Sequence, residues 1–148
     1  MNTLTVRDTG VRGKAVWAGV SLIAVVGLIH LIEAPEYLEE AAYVGALFLA
    51  NFVGAAVAAA GIYRGHGWGW GLGALVAGGA FVGCVISRTV GLPGLPIEEW
   101  LEPLGVVSLL VEGLFVGLYS ALSVRRGTSV ERTSVELKAG NVPPGGWE

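Results

Sequence analysis

LGVVSLLVEGLFVGLYSAL, residues 104–122, decides the fold. At a rise of about 1.5 Å per residue, this run is long enough to cross roughly 30 Å of hydrocarbon as an α-helix. Its single charge is Glu112. A central acid costs roughly 3 kcal/mol on insertion scales, whereas Leu, Ile, Val and Phe return about 0.3 to 0.6 kcal/mol each. The Leu, Val and Phe residues of the run sum to a gain of roughly 3 to 7 kcal/mol. Insertion therefore survives the charge. Three more runs of this kind lie upstream, at residues 15–32, 41–63 and 68–86. Each is apolar or small on every side, which suits lipid-exposed helices and not the amphipathic surface helices of a soluble bundle. In lipid the backbone must satisfy itself, so the predicted fold is an all-α, four-helix transmembrane bundle.

Composition agrees with this reading. The chain has 148 residues, 53% hydrophobic and 14% charged, with a mean hydropathy of +0.67. The net charge of −3 hides a spatial sorting of signs. Arg7, Arg12 and Lys14 precede the first span, Arg64 sits between the second and third, and Arg125, Arg126, Arg132 and Lys138 follow the fourth. Only Arg88 lies on the other side, among Glu33, Glu36, Glu39, Glu40, Glu98, Glu99 and Glu102. The positive-inside rule then places both termini and the middle loop in the cytoplasm of a multi-pass cell-membrane protein. A cleavable signal peptide is the competing reading of the first span, but no small-x-small site follows it. No basic patch suits nucleic acid. Cys84 is the only cysteine, which excludes an intrachain disulfide and disfavours a thiolate zinc site.

The expected organisation is a cytoplasmic segment at 1–14, the four-helix domain at 15–122 and a mostly disordered cytoplasmic tail at 123–148 that ends in Pro143, Pro144, Gly145 and Gly146. In each outer connection a proline precedes acids, Pro35 before Glu36 and Pro96 before Glu98, which predicts short interfacial helix starts there. Trp17, Tyr63, Trp68 and Trp70 at the inner level, with Tyr37, Tyr43 and Trp100 at the outer, form the expected aromatic belts. The GxxxG pairs Gly79/Gly83 and Gly113/Gly117 offer faces for a homo-oligomer or a larger membrane complex.

The chemistry lies in the polar residues at membrane depth. Asn51 precedes Arg64 by thirteen positions and Glu112 precedes Arg125 by thirteen, so both fall near the midplane. Ser108 lies one turn from Glu112, His30 shares a helix face with Glu33, and Cys84 lies one turn from Arg88. Each residue has a structural reading beside a functional one. Arg88 reads as a snorkelling anchor or a holder of a ligand anion, and the outer glutamates as a solvated rim or a cation trap. Asn51 reads as an interhelical hydrogen bond, and His30 as a group satisfied by Glu33 or a backbone carbonyl. Glu112 must be neutral, paired or hydrated, and it divides evenly between architecture and function. The candidate ligand- or ion-binding set is Glu112, Arg88, His30, Glu33, Asn51 and Ser108.

No nucleophile–base–acid set, phosphate-binding glycine loop or His-Glu-x-x-His motif is present, so the residues do not suggest an enzyme. The sequence assigns no cofactor or metal. The leading reading is a membrane module, a transport candidate, whose outward-facing polar cluster binds or conducts a proton, cation or small ligand. The alternatives are a non-catalytic accessory or scaffold subunit, and a haem- or quinone-binding redox module. Haem is disfavoured because His66 falls in the cytoplasmic loop, and a quinone would rest on His30, Glu33, Arg88 and Trp100. The stretch Ser87-Arg88-Thr89-Val90-Gly91-Leu92-Pro93-Gly94, with Trp100 to Gly105 and Ser108 to Glu112, resembles small four-helix membrane proteins of prokaryotes. That resemblance implies a fold, and the pairing of Arg88 with Glu112 as one unit, but no activity. Leu49 to Gly54, around Asn51, is similar to the asparagine-glycine helix of fluoride channels, whose other motifs are missing here.

Overall fold

The computed structural model describes the backbone of residues 3–140 and the side chains of residues 13–125. The described residues form four α-helices and no strands: α1 Thr3–Glu40, α2 Ala42–Tyr63, α3 Gly67–Thr89 and α4 Pro103–Gly140. Each contains a segment long and apolar enough to cross a membrane, at Gly13–Glu40, Ala42–Tyr63, Gly67–Thr89 and Pro103–Arg125. The helices pack in a ring, α1 on α2, α2 on α3, α3 on α4 and α4 on α1; α1 also approaches α3, whereas among the described residues no Cα of α2 lies within 8 Å of one of α4. One end carries the α2–α3 turn and is called the hairpin end below. The other carries the α1–α2 and α3–α4 connections and is called the acidic end.

The three connections differ in kind. Between α1 and α2 the only non-helical residue is Ala41, extended at φ −150° and ψ 95°, and its amide still bonds the Tyr37 carbonyl at 2.8 Å. At the hairpin end α2 stops in a Schellman turn. Gly65 takes φ +78°, its N–H bonds the Ile62 carbonyl at 3.0 Å, and the His66 N–H bonds the Gly61 carbonyl at 2.9 Å. Only a residue without a Cβ adopts that backbone at no steric cost. Residues 90–102 form the long connection, which folds back so that the Glu98 N–H meets the Ser87 carbonyl at 3.2 Å.

Two expectations about the acidic end need correction. Pro35 does not begin a helix, because α1 runs through it to Glu40. Burial of Ala34 and the close α1–α2 packing hold that turn despite the missing N–H at Pro35, which lies on an exposed face. Pro96 does not begin a helix either; Pro103 does. A helix from Pro96 would have needed an N–H at 103 for the Glu99 carbonyl, and proline has none to offer. Beyond the fourth span, the tail expected to be disordered continues α4 as helix to Gly140, and residues 141–148 lie outside the described residues. The N-terminal segment is likewise helical from Thr3.

The two halves of the bundle are filled differently. Toward the hairpin end Ile23, Val26, Ala55, Ala58, Ile62, Trp70, Ala77 and Phe115 form the core, with the Trp70 and Phe115 rings stacked at 6.0 Å. Trp70 is thus in the core and not in the aromatic belt, whereas Trp17, Tyr63 and Trp68 are exposed. No comparable large side chain fills the centre of the acidic half. Packing of this kind rests on close contact, since lipid supplies no hydrophobic force between helices.

Gly69 sets the α2–α3 approach. A Cβ there would lie 2.5 Å from the Ile62 nitrogen and 2.7 Å from the Gly61 carbonyl carbon, both backbone atoms that cannot rotate away. Gly69→Ala is therefore expected to cost about 1–3 kcal/mol and lower the thermal midpoint in mild detergent. Gly117→Ala, whose Cβ meets nothing within 4 Å, should leave the midpoint unchanged or raise it. Equal midpoints for the Gly69 variant and the parent would refute the close-approach argument.

Candidate functional site

The unfilled acidic half holds a cavity of about 630 Å³, a size suited to a small organic ligand. Glu112, Arg88, His30, Glu33, Asn51 and Ser108 all line it. So do Tyr37 and Glu98, which the sequence did not single out as site residues. The exposed lining residues Leu47 and Ala50 of α2, with Leu75 and Gly79 of α3, mark its mouth. The polar residues of α1 and α4 form its back. On α1, α2 and α4 the lining residue farthest from the acidic end is His30, Asn51 and Glu112, respectively, so these form the floor. From Gly105 to Glu112 along α4 the cavity is about 10 Å deep at the helical rise.

Arg88 organises the roof. It is buried, and its guanidinium meets Glu98 Oε2 at 3.0 Å, Glu102 Oε2 at 3.0 Å, the Glu99 carbonyl at 3.2 Å and Cys84 Sγ at 2.8 Å. The Glu99 carbonyl it satisfies is the one left without an N–H partner by Pro103. The guanidinium packs over Gly105, where any Cβ would overlap it. Arg88 has its head among the outer carboxylates, as a snorkelling anchor would, but its stem is buried in the bundle and not in lipid: its charge is spent on the 90–102 connection. It also makes no ion pair with Glu112, although both line the same cavity.

Glu98 ties that connection to two helices, accepting from the Tyr37 hydroxyl of α1 and lying 3.0 Å from the Ser87 hydroxyl of α3. The acidic rim therefore splits. Glu36, Glu39, Glu40 and Glu99 are exposed, while Glu33, Glu98 and Glu102 are partly buried in the cavity wall. Tyr37, expected in the aromatic belt, stands instead between this cavity and a smaller acidic cleft of about 100 Å³ at the bundle end. Tyr43 closes the top of the mouth by donating its hydroxyl to the Pro93 carbonyl at 2.7 Å.

The floor has a different character. Glu112 is completely buried, and its Oε1 accepts from Ser108 at 2.8 Å. His30 Nδ1 lies 2.9 Å from the Val26 carbonyl, and His30 Nε2 lies 3.8 Å from Glu112 Oε1, too far for a hydrogen bond. His30 thus answers to a backbone carbonyl and not to Glu33. Its ring meets Phe48 edge-on at 4.9 Å, and Phe48 in turn lies 4.6 Å from Tyr37. Asn51 donates Nδ2 to the Val76 carbonyl at 3.3 Å, tying α2 to α3 and making no contact with Glu112. Among the described residues Glu112 Oε2 and Asn51 Oδ1 are buried acceptors without a hydrogen-bond partner.

Some sequence-derived groupings do not form. His66 lies in the hairpin turn, at the opposite end from His30, so one chain cannot offer a histidine pair to haem. Trp100 is half exposed and does not line the cavity, which removes it from the quinone grouping. The described residues contain no group of three or more His, Cys, Asp or Glu arranged to hold a metal ion. Gly79 and Gly83 line the cavity, whereas Gly113 and Gly117 lie exposed on α4. No family model, curated protein or solved structure matches this chain.

Removing one partner from a buried ion pair leaves the others unpaired and costs about 3–5 kcal/mol. Arg88→Gln is expected to lower the thermal midpoint sharply and to open residues 90–102 to protease. Arg88→Lys should fall between, since an ammonium lacks the planar fork that spans Glu98 and Glu102. Glu99→Gln should change neither readout, because only its backbone carbonyl takes part.

Proposed function

We propose that this chain is a small multi-pass membrane protein that binds a small amphipathic molecule in the acidic half of its bundle. The observation that carries the reading is the cavity of about 630 Å³, with an apolar mouth at Leu47, Ala50, Leu75 and Gly79, a back lined by His30, Glu33, Ser108 and Glu112, and Arg88 at its roof. In a bilayer that mouth faces acyl chains, so a molecule with an apolar body enters from lipid and brings its polar end to the back wall. In the other half Trp70, Phe115, Ile23 and Ile62 form a packed core. A binding chamber therefore fits the packing better than a conduit for protons or cations. With both termini cytoplasmic, as the basic residues favour, the chamber lies in the outer half of the membrane.

A defined probe tests the binding claim: radiolabelled 2-naphthylmethanol, measured in lipid nanodiscs against protein-free discs. The parent protein should bind it saturably. The pair Gly79→Leu with Gly83→Leu fills open space at the mouth and should weaken binding about tenfold or more while preserving the thermal midpoint. Only non-saturable partitioning by the parent, or equal binding by the filled variant, would remove the chamber reading. Orientation is tested separately in a Cys84→Ser background. A membrane-impermeant maleimide on intact cells should label Leu101→Cys and spare His66→Cys; the reverse pattern would invert the topology.

A further inference from the structure

The floor of the cavity presents acceptors without donors. The Val26 carbonyl can only accept, so the His30 Nδ1 beside it carries the hydrogen, and in the neutral tautomer that this contact selects Nε2 is an acceptor, 3.8 Å from Glu112 Oε1. The same logic orients Asn51. Its Nδ2 must be the atom that meets the Val76 carbonyl, which leaves Oδ1 pointing elsewhere, buried and unpaired. Glu112 has Oε1 occupied by the Ser108 hydroxyl and Oε2 unpaired at zero exposure. These groups come from α1, α2 and α4, and all three residues line the same cavity. A buried acceptor without a donor carries an unrecovered desolvation cost, so such a floor is completed by a group that brings N–H or O–H.

We propose that this floor is a primary-ammonium subsite, with His30 Nε2, Asn51 Oδ1 and Glu112 Oε2 each accepting one N–H of an amphipathic amine. The inference rests on the binding reading above and names the chemistry of its ligand. An ammonium carries three donors and no acceptor, which complements these atoms. Its charge is compensated locally by Glu112, because Arg88 is already engaged with Glu98 and Glu102 at the roof. Phe48, edge-on to His30, and Tyr37, tilted against Phe48, line the same cavity and add aromatic rings that suit a cation. A bare metal cation is a poorer match. Hard cations take six or more oxygen ligands, and the floor supplies few oxygens beside an imidazole and aromatic rings. The apolar substituent of the amine would run from the floor past Val76 and Ala80 to the mouth at Leu47 and Leu75.

The test compares 2-naphthylmethylamine, its N,N,N-trimethyl derivative and 2-naphthylmethanol in the same nanodiscs at neutral pH. The primary ammonium is expected to bind at least about tenfold more tightly than the alcohol, since its hydrogen bonds are charge-assisted. The trimethyl compound keeps the charge without the N–H groups and should lose most of that preference. Glu112→Gln and Asn51→Leu should each bring the amine-to-alcohol ratio toward one. If Glu112→Gln does not fold, Asn51→Leu carries the same decision. Saturable alcohol binding without an amine preference, an undiminished preference in either folded variant, or equal affinity for the trimethyl compound would each overturn the ammonium subsite while leaving the chamber intact. Loss of saturable binding for all of the probes would overturn the chamber itself.

Discussion

A polar side chain on a membrane-spanning helix cannot face acyl chains without a cost of several kcal/mol, and that constraint sets the rotation of every helix here. His30, Asn51, Arg88, Ser108 and Glu112 belong to four different helices, yet all turn to the same cavity. The apolar residues away from the cavity, such as Leu28 of α1, Val82 of α3 and Leu110 of α4, are exposed as lipid contact requires. Hydropathy decides that each helix is inserted, and the scarce polar residues decide which way it faces.

Filling the ring of helices is then a matter of where large side chains happen to project. Trp70 and Phe115 stack across the hairpin half, and the core around them leaves little space. In the acidic half the corresponding positions carry Gly79, Gly83 and Gly105, or polar groups held to the walls by their own hydrogen bonds. Arg88 keeps this space from collapsing. By holding Glu98, Glu102 and the Glu99 carbonyl, it pins the 90–102 connection across the bundle end as a roof. The two connections at that end are consequently unlike. A single extended residue joins α1 to α2, whereas a folded segment built on one guanidinium joins α3 to α4.

The sequence carried the four spans because their signal is local and long: some twenty apolar residues have few other fates. The apolar runs at residues 41–63, 68–86 and 104–122 match the helices to within a few residues at each end. The connections were less legible. Pro35 and Pro96 have the local chemistry of helix starts, but α1 is held past Pro35 by packing against α2, and the segment after Pro96 is held open by Arg88, a residue distant along the chain. The thirteen positions that separate each from its following arginine put Asn51 and Glu112 at similar depth, and both line the cavity. That spacing could not say that Asn51 would spend its amide on Val76, because that depends on how far α2 and α3 separate.

By itself, the sequence determined the four helices long and apolar enough to cross a membrane, the sorting of charge to opposite ends and the polar residues that lipid would reject, because all three are read from composition along the chain. Only the tertiary structure decided that Arg88 is a buried clasp, that Trp70 is core while Tyr37 is a partition, and that Asn51 and Glu112 each keep an unpaired buried acceptor in the cavity that His30 also lines. Those outcomes depend on helix rotation and separation. Both are set by contacts between residues far apart in sequence, for which periodicity and composition carry no distance.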